Sequence, residues 1–137
     1  MNEGWFGDDY FILFDEAEEA YESQRYGIAA ALPDYTVIGL RGWDDLIVRD
    51  ACGNAFTLPS VPIDIQYLSP FEVPVSTCLQ TDGRFTGKVK WYVIPLIFGG
   101  DPHAKDNVTW ITHEQHAELV IWWNRLCRDV KARGPSA

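Results

Sequence analysis

Lysine and arginine are missing from the first 24 residues, which carry eight carboxylates: Glu3, Asp8, Asp9, Asp15, Glu16, Glu18, Glu19 and Glu22. Residues 25–83 stay poor in positive charge, with three bases against seven acids. Only residues 84–137 reverse the sign, with eight bases to five acids, and the formal net charge is −9. A folded chain with this split is expected to show a strongly negative patch, a field that attracts cationic partners and repels nucleic acid and anionic lipid. Binding to nucleic acid or to a membrane surface is therefore not expected.

Long apolar runs are also missing. No stretch of 18 apolar residues occurs, and residues 1–9 are acidic and polar, so neither a membrane span nor a secretory signal is expected. Cysteine is scarce and odd in number: Cys52, Cys78 and Cys127 form no CxxC pair. They read as free thiols of a reducing cytoplasm rather than a disulfide frame or zinc site, which places the protein in the cytosol. The sequence holds no GxGxxG, no P-loop lysine, no HExxH and no nucleophile elbow around Ser60, Ser69 or Ser76.

What is present is core material. Nineteen or so residues in 137 are aromatic by the 14% fraction, and 47% are hydrophobic, enough for one domain spanning 1–137. Residues 15–25 predict a helix: no Gly or Pro interrupts them, acids fill the first turn, and Ala17, Ala20 and Tyr21 share a face with the acids around it. After Gly27 and a turn at Leu32-Pro33-Asp34, three short strands are predicted over 35–41, 43–49 and 54–58, with a tight turn at 50–53. The proline-bearing stretch 58–75 is too apolar for a free tether and predicts a packed, irregular crossing. A further strand is predicted over 88–94, with Val89, Trp91 and Val93 on one face and Lys88, Lys90 and Tyr92 on the other.

A long C-terminal helix follows. Thr112 and Gln115 carry the capping-box spacing, and Leu119, Val120, Trp123, Leu126, Cys127 and Val130 keep helical periodicity up to Gly134-Pro135. Arg125, Arg128, Lys131 and Arg133 load its last turns, as the helix dipole favours. The expected fold is α+β: a mainly antiparallel sheet flanked by an acidic N-terminal helix and a long C-terminal helix, in the order helix, strands, helix.

Few residues suggest chemistry. His103, His113 and His116 offer the ligands of a metal-assisted hydrolase, but their spacing matches no established site, and the plainer expectation is a near-cap polar residue at His113 and a packing residue at His116. Phe98-Gly-Gly-Asp-Pro102 reads as a rigid turn rather than a phosphate cradle. Cys52 lies among acids that disfavour a thiolate. No cofactor is expected. Trp91, Trp110, Trp122 and Trp123 are expected in the core, whereas Trp5, Phe6 and Trp43, flanked by Gly and Asp, are candidates for exposure at a binding surface.

Two stretches resemble known sequences. Glu19 to Leu40, with Tyr26-Gly-Ile and Ala31-Leu-Pro-Asp-Tyr35, resembles the opening of the SUKH immunity proteins, in which an acidic helix leads through a Gly and a Leu-Pro turn into the sheet. The run from Gly42-Trp-Asp-Asp to Phe56-Thr-Leu-Pro-Ser-Val-Pro-Ile63 is similar in a looser way. Phe98-Gly-Gly-Asp-Pro, Asn107, Trp110, His116, Val120 and Trp122-Trp-Asn124 resemble small bacterial proteins of toxin–immunity neighbourhoods. Together these cover about three-quarters of the chain.

The resemblance implies an immunity protein, a cytosolic antidote without enzymatic activity that binds a cognate secreted toxin. The charge split agrees, because an acidic surface can plug a toxin's cationic cleft with electrostatically steered association. The residues expected at that contact are Asp8, Asp9, Asp15, Glu16, Glu19, Glu22, Asp44 and Asp45, with Trp43 as an anchor. The alternatives are the metal-assisted hydrolase and a non-enzymatic adaptor or structural module.

Overall fold

The computed structural model describes residues 1–42 and 45–132, the side chain of Ala132 excepted. The expected α+β architecture is present, but the chain does not begin with a helix. β1 (Asn2–Phe6) and β2 (Asp9–Leu13) form an antiparallel hairpin first. Its turn depends on Gly7, whose φ of 61° lies in the left-handed region that a side chain disfavours. Helices α1 (Glu16–Arg25) and α2 (Ile28–Ala31) follow, then β3 (Thr36–Arg41), β4 (Asp45–Arg49), β5 (Ala55–Pro59) and the two-residue β6 (Ser69–Pro70). All six strands join one antiparallel sheet in chain order.

Both faces of this sheet are covered, which explains why β2 is apolar from Tyr10 to Leu13. Tyr10, Ile12 and Phe14 point to one side and pack with Leu40, Leu46, Val48 and Leu58 under the helices. Phe11 and Leu13 point to the other and meet Ile47. A strand buried on both faces has no polar alternation to show.

The second face is closed by the chain itself. After β6, Phe71, Val73 and Leu79 pack across Phe11, Leu13 and Ile47. Gln80 then pairs with Trp5 on the outer edge of β1, with N–H···O distances of 2.8 and 3.0 Å. This strap needs a residue without a side chain at position 4, because a Cβ there would lie 2.6 Å from the Gln80 backbone. An otherwise open sheet edge is thereby covered. The stretch 58–75 is packed and irregular as expected. Asn124 anchors it, accepting from Ile63 N at 2.7 Å and donating to Ser60 O at 2.7 Å.

The remaining elements are β7 (Lys88–Tyr92), β8 (Val108–Thr112) and α3 (His113–Ala132). β7 and β8 form a separate antiparallel pair, with Val89 and Trp91 in the main core. β7 ends at Tyr92, so the alternation does not extend to Val93, which is 47% exposed. The Gly-Gly turn is rigid. Asn107 donates to Ile94 O and Asp101 O and accepts from Ile94 N, and a side chain at Gly100 would collide with the Ile94 carbonyl.

The capping box of α3 is complete. Gln115 N donates to Thr112 Oγ1 at 3.1 Å, and Thr112 N donates to Gln115 Oε1 at 3.0 Å. The Gly134-Pro135 stop lies outside the described residues.

Candidate functional site

The acidic helix α1 is built from its first residue. Asp15 caps it, accepting from Glu18 N at 2.9 Å, while the Glu18 carboxylate accepts from Asp15 N at 2.9 Å. The Glu18 backbone N–H holds the Asp15 carboxyl below its ordinary range. The helix is rotated the other way from the expectation. Ala17, Ala20 and Tyr21 are exposed, and the inward side carries Glu18, Glu19, Glu22 and Ser23. Polar groups on the packed side are matched by polar partners: Ser23 Oγ accepts from Val37 N at 2.8 Å, and Glu19 binds the Arg49 guanidinium through both oxygens at 2.8 and 3.3 Å. Glu19 is the leading cause that raises the Arg49 pKa.

Glu22 is therefore not a surface acid. It is 5% exposed, 3.6 Å from Arg25 Nη1, with its second oxygen 3.1 Å from His113 Nε2 and not aligned for a hydrogen bond. Arg25 Nη2 in turn donates to His113 O at 2.9 Å, fastening α1 to the start of α3. A buried carboxylate persists where a cation compensates it, and this one cannot face a partner.

The other acids expected at a contact fall into two groups. Asp9 accepts from Arg41 Nε at 3.0 Å, and Asp45 lies 4.0 Å from Arg41 Nη1, with the guanidinium over the Phe71 ring at 5.1 Å. Glu16 and Glu19 both act on Arg49. Arg41 pairs with the Asp45 end of β4, and Arg49 is its other end, about 13 Å away at the rise of a strand. Asp8, at the tip of the β1–β2 turn, is exposed, as are Asp15 and Glu16. Trp43 and Asp44 lie outside the described residues.

The histidines do not converge. His116 is fully buried, its Nδ1 2.6 Å from the Tyr26 hydroxyl and its ring edge-on to Trp91. His113 stacks on Phe14 at 5.4 Å. His103 is exposed in a loop, its backbone N–H donating to Asp101. Among the described residues no group of three His, Cys, Asp or Glu side chains could hold a metal ion. The packing role expected of His116 is the one observed, with more complete burial.

Two tryptophans exchange places with the expectation. Trp5 is half-buried, donating from Nε1 to Asp82 at 3.2 Å and meeting Tyr10, Phe85 and Trp110 edge-on. Trp122 is 55% exposed on α3, between two grooves, while Phe6 is 49% exposed as expected. One groove, of 550 Å³, runs between α1 and α3 with Tyr21 and Ile121 among its walls. The other, of 620 Å³, runs between α3 and the β7–β8 pair beside Trp91 and Ile111. The helical pattern of residues 112–130 concealed this, because Trp122 and Trp123 are adjacent and only one can face inward.

No helix among the described residues is long and apolar enough to cross a membrane. Compared with known proteins, the chain matches no family model, no curated protein and no solved structure.

Proposed function

We propose that this protein is a cytosolic immunity protein, which binds a cognate secreted toxin and occludes its cationic active-site cleft with an acidic surface, making no bonds of its own. One observation carries the reading. Residues 1–83 contain fifteen carboxylates and three arginines, and each arginine is already engaged: Arg25 by Glu22, Arg41 by Asp9 and Arg49 by Glu19. Of the remaining carboxylates, Asp82 meets Arg84, Asp64 meets Lys131, and Asp15 and Glu18 meet the Met1 amino group; the region holds no further arginine or lysine for the others. Asp8, Asp15 and Glu16 are the exposed members of the expected set; Asp8 adjoins Asp9, which with Asp45 flanks Arg41, whereas Asp15 and Glu16 follow the other end of β2, and Glu16 acts on Arg49. The resemblance of Glu19–Leu40 to the SUKH immunity proteins supports the same class.

The experiment is co-expression with the product of the adjacent upstream gene. Growth rescue and a stable complex are expected, and a harmless or non-associating neighbour overturns the reading. Asp8→Lys with Glu16→Lys should slow association several-fold at low salt and little at high salt, as for a steered encounter of about 10⁸ M⁻¹s⁻¹ or faster. An unchanged on-rate removes both groups of acids from the contact.

A further inference from the structure

The exposed ridge of α3 runs through Glu114, Glu118, Trp122, Arg125 and Arg128, all turned to solvent. Positions separated by three and four residues line one side of a helix, so the ridge spans about 20 Å at 1.5 Å per residue. Its charges are ordered. The first half of α3 bears Glu114 and Glu118 and no lysine or arginine, whereas the second half bears Arg125, Arg128 and Lys131 against Asp129 alone. Trp122 stands near the midpoint, braced edge-on by Trp123 at 4.9 Å between rings. Apolar surface continues on both flanks, with Tyr21 61% exposed beyond one groove and Val93 and Ile94 each 47% exposed beside the other.

We propose that this ridge is a dimer interface occupied by α3 of a second copy, running antiparallel about a two-fold axis beside Ile121 and Trp122. The charge order selects this occupant. Positions equidistant from that axis are Glu118 and Arg125, so each Glu118 meets Arg125 of the other copy, while Glu114 is equidistant with Asp129 and reaches Arg128 one position before it. A parallel arrangement would set Glu against Glu and Arg against Arg. Residue 122 meets residue 121, so each indole drops beside Ile121 of its mate into the groove along α1, whose 550 Å³ accommodates it. Such a contact is self-complementary, as closed two-fold symmetry requires. It places an aromatic anchor at its centre with charged pairs at its rim. The net charge of −9 on each copy opposes association at low ionic strength, but at physiological salt the screening length is about 8 Å, and only charges at the contact count. The inference is independent of toxin binding, because it uses the opposite charge pattern on a different element.

Sedimentation velocity of the full chain over a concentration series in physiological salt tests it. The wild type should sediment as a reversible dimer. Trp122→Ala, Glu118→Arg and Arg125→Glu should each shift it to monomer by at least tenfold in dissociation constant, with unchanged circular dichroism since all three positions are exposed. The double exchange Glu118→Arg with Arg125→Glu should restore the dimer. A wild type that stays monomeric overturns the proposal and leaves the ridge to a foreign helix. A dimer indifferent to Trp122→Ala moves the interface elsewhere and overturns it too. Failure of the double exchange to restore association refutes the antiparallel register.

Discussion

Asn124 shows how much one side chain can hold. It is buried on α3, accepts from Ile63 N and donates to Ser60 O and Val120 O, so a single amide ties the crossing stretch to the helix. Asn124→Ala strands the Ile63 N–H and removes the bond to the Ser60 carbonyl. The expected loss is about 1–3 kcal/mol for the stranded N–H, read as a lower urea midpoint at unchanged slope. Glu22 belongs to the same scale. Replacing it with Lys would set a buried cation against Arg25, and about 3–5 kcal/mol of destabilisation is expected from thermal or urea unfolding. Glu22→Gln should keep the shape and leave the rate of association with the proposed partner unchanged, unlike charge reversal at Asp8 or Glu16.

Among elements, the two long helices differ in how plainly they announce themselves. α3 begins at a reciprocal Thr112–Gln115 cap and α1 at a reciprocal Asp15–Glu18 cap. Thr112→Ala should lower stability by about 1 kcal/mol and Asp15→Ala should lower it too, measured by denaturant titration of each variant. Helix positions follow from local signals of this kind, but helix rotation does not. α1 turns Tyr21 outward and Glu22 inward because Arg49 on β4 and His113 on α3 supply partners for its acids, beside Arg25 at its own last turn. The hairpin of β1 and β2 was hidden for a related reason. Its inner strand is apolar on both faces only because residues 71–79 cover the second one, and the acids that flank it read as solvated chain.

At the scale of the whole molecule, electrostatics sets the response to acid. Asp15, Asp50, Asp64 and Asp82 all have carboxyls held below the ordinary value of 3.8. For Asp82 the leading cause is the Arg84 guanidinium, followed by the Arg84 backbone N–H; for Asp50 it is the backbone N–H of Asn54, and for Asp64 that of Gln66. A carboxyl with a depressed folded pKa stabilises the fold fully above its unfolded value and loses that contribution as pH falls through the folded one. Stability should therefore be flat near neutrality and decline below about pH 4, and Asp82→Asn should lessen that decline while lowering the neutral plateau. Melting temperatures from pH 7 to pH 2 check both. A decline that begins near pH 6 would not come from these carboxyls.

Read alone, the sequence determined what depends on near neighbours. The α+β class, β3 to β5, the cap of α3, the rigid Phe98-Gly-Gly turn and the surplus of acid over base are local or additive properties, legible from residues a few positions apart. Tertiary structure alone decided which side of each element meets the core. It buried Glu22, exposed Trp122, drew Trp5 into an aromatic cluster and divided the acids between Arg41 and Arg49. These outcomes depend on partners far away in the chain, as in the contact of Trp5 with Trp110 and the bond from Arg25 to His113. No local periodicity encodes the position of a counter-charge that arrives from the far end of the chain.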